Sequence, residues 1–147
     1  ISTFKEETET DLFGEQISLT GSIPMILIES YKVLLEYGYS PIVAWFVCFY
    51  ELKTITDLMF EKGMTSFYDM VSDTARYGGI SRGKMLIDNR FKDKMRKILD
   101  EIRDGTFNKE LKEALLNDDF KNLDNVFDSK EFNEIEEKLL SKIKNIN

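Results

Sequence analysis

Read as a pattern of apolar and polar positions, the chain is helical from end to end. Ser22 and Pro24 open a segment that is apolar on nearly every side (Met25, Ile26, Leu27, Ile28, Tyr31, Val33, Leu34, Leu35) and stops at Gly38. Ser40 caps a second helix with Pro41 at its first position, and this one runs to Gly63. Both starts and both stops follow the usual asymmetry, with proline just inside the beginning and glycine just past the end. A helix apolar all round is buried all round. In a chain of 147 residues that predicts a partner subunit covering part of these two. A third helix is expected from Ser66 to Arg76, broken at Gly78-Gly79. From Asp88 to Asp104 the pattern changes. Phe91, Met95, Ile98, Leu99 and Ile102 form one stripe with charges elsewhere, which is an amphipathic surface helix. Leu111, Leu115 and Leu116 mark a shorter helix. Phe132, Ile135, Leu139, Leu140 and Ile143 mark a last one after Asp128-Ser129, whose lysine-rich end past Lys138 is solvated and suits the helix dipole. No strand alternation and no internal repeat occurs, so the expected fold is all-α.

Composition narrows the functional classes. At 42% hydrophobic and 32% charged, 147 residues suffice for one globular domain. A net charge of −7 argues against nucleic acid as a partner, since phosphates need a basic face. The absence of histidine removes catalytic triads and His-ligated zinc. The single cysteine, Cys48, forms no internal disulfide, which fits a reducing, cytoplasmic compartment. It lies in an apolar run and reads as a buried, unreactive thiol. No signal-peptide pattern opens the sequence. The apolar stretch Pro41 to Tyr50 is too short to span a bilayer and runs into Glu51 and Lys53, so no membrane partner is expected. No G-x-G-x-x-G unit exists, so this chain has no visible means of binding a dinucleotide.

The candidate chemistry lies in acids. Lys5 to Gln16 reads K-E-E-T-E-T-D-L-F-G-E-Q, with five carboxylates in twelve positions. On a helix, Asp11 and Glu15 share one face with Cβ atoms about 5–6 Å apart, a repulsive spacing unless a positive charge sits between them. A hard divalent cation such as Mg²⁺ fills that role. The alternative is a solvated acidic helix start favoured by the dipole. Glu51 follows the run from Ile42 to Tyr50, so its sequence neighbours are apolar. A carboxylate buried there is paired, protonated or metal-bound, because an isolated buried charge costs too much. The alternative is a surface glutamate paired with Lys53 or a tail lysine. Ser72, in V-S-D-T-A, reads on its own as a helix-interior serine bonding back to a carbonyl.

The run E-T-E-T-D-L-F-G-E-Q resembles the metal-binding segment that opens the C-terminal domain of ketol-acid reductoisomerases. The resemblance continues through E-Y-G-Y-S-P, C-F-Y-E-L-K-T-I-T-D-L and S-D-T-A-R-Y-G, and covers roughly Thr3 to Gly105. It implies a single C-terminal domain over 1–147, all-α and knotted, of the 6-phosphogluconate-dehydrogenase C-terminal-like type, forming an intertwined homodimer. The NADPH-binding Rossmann domain would be absent from this chain. The implied activity belongs to branched-chain amino-acid biosynthesis. A small 2-hydroxy-3-oxo acid such as acetolactate undergoes an alkyl shift on two Mg²⁺ ions, and NADPH reduces it to a 2,3-dihydroxy-3-methyl acid.

By the same resemblance Asp11 bridges the metals, Glu15 completes the first, Glu51 serves the second and Ser72 contacts substrate. Glu51 and Ser72 would complete a site begun by Asp11 and Glu15 of the other subunit. The chain also departs from the family pattern. Val47 stands where the family has a glutamate, Tyr50 where it has a histidine, and Arg76 where it has an acid. Valine ligates nothing, although water can replace an oxygen donor on Mg²⁺. The departures leave open a degenerate paralogue, or a structural dimerisation module, that keeps the fold without the second metal position. Mg²⁺ and Mn²⁺ are not distinguished.

Overall fold

A computed structural model describes residues 2–119 and 129–144; Asp128 and everything past 144 lie outside the described residues. Helix α1 (Phe4–Gly14) starts where the Thr3 hydroxyl accepts the Glu6 N–H at 3.1 Å, with Glu6 and Glu7 in the first turn. It does not end before α2 (Ser22–Glu36). A π turn, Glu15–Leu19, joins them into one helical run. In that turn the Glu15 carbonyl accepts the N–H groups of both Thr20 and Gly21 at 3.0 Å, and the Thr20 hydroxyl at 3.2 Å. The wider turn brings Gly21 against the backbone behind it. A Cβ on Gly21 would lie 1.8 Å from the Gln16 carbonyl oxygen, so only glycine fits.

Helix α2 stops as its sequence requires. Tyr39 N–H bonds to the Leu34 carbonyl at 3.1 Å and Gly38 N–H to that of Leu35 at 2.9 Å, with Gly38 at φ 81°. Next comes α3 (Pro41–Trp45), a second π turn (Phe46–Tyr50) and α4 (Glu51–Lys62), ending at Gly63 with φ 81°. The span expected as one uniform helix from Ser40 to Gly63 is therefore continuous but carries an inserted π turn immediately before Glu51.

The third helix differs more. Ser66–Arg76 is not a helix; Phe67–Asp69 forms a 3₁₀ turn, the chain breaks, and α5 runs Asp73–Leu86 straight through Gly78-Gly79. Ser72 sets this start by accepting the Ala75 N–H at 3.2 Å, and Arg76 ties the new first turn to Asp69 at 2.8 Å. A cap and an ion pair at the helix start outweigh the roughly 1 kcal/mol that each interior glycine costs.

Helix α6 (Asn89–Asp104) keeps the predicted stripe, with Ile102 buried and Phe91, Met95, Ile98 and Leu99 half-buried. Its cap is Asp88, which accepts the Phe91 N–H at 3.0 Å and Arg90 Nε at 2.9 Å. Those two bonds hold the Asp88 carboxyl below its ordinary pKa. Gly105, at φ 87°, then turns the chain into α7 (Thr106–Asn117), and α8 (Lys130–Lys144) is the last described helix.

One small core joins α2, α3 and α8. Ile28, Tyr31, Ala44, Trp45, Phe132 and Leu139 are buried together, with the Tyr31 and Phe132 rings edge-on at 5.2 Å and those of Phe49 and Phe132 at 5.1 Å. Helix α6 lies against α1, and α7 folds back on α6. The described residues are all-α, without a strand.

The apolar helices are not buried on all sides within the chain. In α2 only Ile28 and Tyr31 are buried, while Ile23, Met25, Ile26 and Val33 face outward. The run Phe4–Glu36 is also long and apolar enough, by length and composition, to cross a membrane, and only 17% of its most apolar window is buried. The longest apolar surface thus belongs to α2 rather than to Pro41–Tyr50. A compact monomer of 147 residues exposes about 7,800 Å², whereas this chain exposes 11728 Å².

Gly21 and Gly14 give opposite expectations for the same substitution. Gly21→Ala should cost at least about 1–3 kcal/mol by overpacking the π turn. Gly14→Ala, in helical conformation with open space around it, should gain about 0.4–1 kcal/mol. Urea unfolding of both variants tests the pair; equal midpoints for Gly21→Ala and the native chain would show that Gly21 does not hold the turn.

Candidate functional site

Asp11 lies in α1 and Glu15 opens the π turn, with the Glu15 N–H bonded to the Asp11 carbonyl. The two carboxylates therefore sit one turn apart on a shared face, as the spacing predicts. Both are exposed, and neither takes a hydrogen bond or an ion pair among the described residues. Lys5 is the only cation on α1, and it is held by Glu9 at 3.7 Å. Asp11 borders a shallow depression of about 380 Å³ with Phe4, Glu7, Thr8 and Leu12. Glu7 thus adds a third acid one turn before Asp11, and none of the three is in an ion pair among the described residues.

Glu51 is the first residue of α4, directly after the second π turn, and it is exposed rather than buried. Its sequence neighbours are apolar, but on a helix they spread around the axis and leave the carboxylate on the outside. It borders a groove of about 1020 Å³ whose walls include Ile26 and Val33 of α2, Val47, Leu52 of α4, and Leu86 and Phe91 from farther along the chain. Two carboxylates rim this groove. Glu29 is paired with Lys32 at 2.7 Å, and Glu51 has no cation among the described residues. Lys53, the alternative partner for Glu51, instead bonds Asp57, which raises the Lys53 pKa. Cys48 lies in the groove wall as a buried thiol, and burial pushes its pKa up, so it stays protonated and inert.

Val47 is 51% exposed on the same groove, one turn before Glu51. An acid there would have shared a face with Glu51, as Asp11 does with Glu15. Tyr50, also exposed, stacks edge-on against Phe46 at 5.3 Å. Ser72 is neither helix-interior nor bonded to a carbonyl. It is the N-cap of α5, and Arg76 behind it is neutralised by Asp69.

The four predicted site residues do not converge within one chain. Asp11 and Glu15 are together, Glu51 stands on the groove, and Ser72 stands at a helix start. No group of three Asp, Glu, Cys or His is placed to hold a metal among the described residues. The donor chemistry nevertheless fits a hard cation at the first position, where two unpaired carboxylates leave the remaining coordination sites to water. At the second position Glu51 offers one carboxylate and Val47 offers nothing. Sequence reasoning missed the two π turns beside Glu15 and Glu51. The Thr20-Gly21 step, one i→i+5 spacing past Glu15, is the only mark of the first.

The chain as a whole is similar to known proteins. The family described as "Ketol-acid reductoisomerase, C-terminal domain" matches residues 4–145. The chain is 51% identical over 106 residues to the ketol-acid reductoisomerase (NADP(+)) of Sulfolobus acidocaldarius, covering 72% of this chain and 32% of that protein. It is 50% identical over 109 residues to the enzyme of the same description from Methanopyrus kandleri, covering 74% and 32%. The solved structure of an NADH-preferring ketol-acid reductoisomerase from an uncultured archean superposes with a TM-score of 0.89 at 30% identity, over 95% of this chain and 43% of that one. The chain belongs to the ketol-acid reductoisomerase C-terminal domain family, and it spans about a third of the length of its curated relatives.

Ser72→Ala should lower stability by about 1 kcal/mol through loss of the cap, while Ser72→Asp should retain it. Urea unfolding checks both. Equal losses in the two variants would mean that the cap does not set the start of α5.

Proposed function

We propose that this chain is the Mg²⁺-binding, dimer-forming catalytic domain of a ketol-acid reductoisomerase. The reading rests on one observation above the rest. Asp11 and Glu15 form an exposed like-charge pair with no basic partner among the described residues, in a family whose curated relatives are ketol-acid reductoisomerases. The reaction is the conversion of a small 2-hydroxy-3-oxo acid to a 2,3-dihydroxy-3-methyl acid, with NADPH held by a domain outside this chain. Mg²⁺ bound here supplies Lewis acidity and a template for the substrate oxygens.

The chain's own residues then have separable roles. Asp11 and Glu15 hold the first cation through carboxylate oxygens, with Asp11 also facing the second. Glu51 holds the second with water in place of the donor that Val47 lacks. Ser72 uses an oxygen lone pair to accept the Ala75 N–H, which leaves its hydroxyl hydrogen available to a substrate oxygen.

Glu51 and Ser72 complete the site with Asp11 and Glu15 of the partner subunit. The uncovered surface supports this: relative to a compact monomer each chain exposes an excess of about 3,900 Å², roughly 7,800 Å² for two copies, more than the roughly 2,000–5,000 Å² in total that an obligate homodimer interface buries. The knot and the cytoplasmic location are carried by the same proposal. Val47 favours one alternative, a relative that keeps the dimer and the first cation position but has lost turnover.

Calorimetric titration with Mg²⁺ should show binding that disappears in Asp11→Asn. Absence of binding to the native chain would remove the metal centre from the reading and leave the dimerisation module. In sedimentation the native chain should run as a dimer and Val33→Asp, on the groove wall, as a smaller species. A native monomer at micromolar concentration would refute the shared site.

A further inference from the structure

We propose that Thr20 is a positioning residue for the Glu15 carboxylate, acting through the π turn that joins α1 to α2. The inference rests on the metal reading of Asp11 and Glu15 and adds to it the element that aims them. Three donors converge on one acceptor here: the amides of Thr20 and Gly21, each 3.0 Å from the Glu15 carbonyl oxygen, and the Thr20 hydroxyl at 3.2 Å. An ordinary α-helical carbonyl receives one amide, from four residues on. The convergence holds the Glu15 backbone in the i→i+5 register. A shift back to the α register would turn the whole of α1 by about 100° relative to α2, the rotation of one residue. Asp11 and Glu15 would turn with it and face another direction relative to the groove that α2 borders.

Gly21 is the part of this clamp that cannot be varied, since no side chain fits against the Gln16 carbonyl. Thr20 is the part that can. It is exposed, and its hydroxyl contributes only the third bond. Removing that hydroxyl leaves both amides in place, so the turn persists but its register is less firmly held. The effect should therefore appear in cation affinity and leave global stability nearly unchanged. A hydroxyl that merely satisfied a helix end would show no such separation.

Mg²⁺ calorimetry on the native chain, Thr20→Val, Thr20→Ser and Glu15→Gln tests this, with thermal melting of each. Thr20→Val should bind Mg²⁺ about three- to tenfold more weakly, the worth of one hydrogen bond, with the melting temperature lowered by no more than that one bond's worth. Thr20→Ser should bind as the native chain does. Glu15→Gln should lose binding; if it binds normally, the metal reading fails and the positioning role falls with it. If Glu15→Gln loses binding while Thr20→Val keeps native affinity, the metal reading stands and the role of Thr20 is overturned. Amide hydrogen exchange on the native chain decides the matter if Thr20→Val does not fold. Mg²⁺ should slow exchange at Thr20 and Gly21 but not at Gly38 and Tyr39 at the far end of α2, and equal rates with and without Mg²⁺ overturn the proposal.

Discussion

The constraint on which the rest of this structure depends is a shortage of interior. The helices are long, and the chain folds back too seldom to cover them. The core uniting α2, α3 and α8 is a single aromatic cluster around Tyr31, Trp45 and Phe132. Beyond it only Ile17, Phe67 and Ile102 are buried among the described residues. Exposed apolar residues on α2 and along the second π turn are what the sequence pattern would place in a core, and the described residues supply no layer to lay over them. This separates the local problem of forming helices, which the chain solves alone, from the global one of burying them.

The same division explains how the candidate centre is organised. Asp11 and Glu15 come from the first helical run, Glu51 from the second, and Ser72 from the break before α5. Each is positioned by its own local device. Glu15 is held by a carbonyl receiving three donors, Glu51 follows a π turn, and Ser72 is fixed by a cap and the neighbouring Arg76–Asp69 pair. None of these devices depends on the others, so each side chain is aimed locally, wherever the other three stand. Family membership supplies the context in which such a division is useful, while Val47 marks where this chain departs from it.

Much of the fold was legible because its punctuation is chemical. Gly38 and Gly63 stop helices by adopting positive φ, Pro41 starts one, and the stripe from Phe91 to Ile102 has a period that admits no other reading. The errors have physical causes too. Gly78-Gly79 reads as a break only if propensity decides, and here Ser72 and Arg76 fix the helix start instead. Glu51 reads as buried only if neighbours in sequence are neighbours in space. The π turns left almost no trace, because an inserted residue alters register without altering composition. The acids could be named from their motif, and the family resemblance already assigned them to two copies; spacing along the sequence alone does not predict that they stand apart within one chain.

The mostly local character of the packing has a kinetic consequence. Most contacts join elements adjacent along the chain, the main exceptions being α1 with α6 and α3 with α8. Chains whose contacts are local in this way pay little loop-closure entropy and reach their helical state in microseconds to milliseconds. The docking of α8 onto α3 must wait for a segment more than eighty residues away to return, so it is the slow intramolecular event. The aromatic core is therefore sealed late by its last helix. Trp45 is buried in that core, so its fluorescence would report the moment of closure.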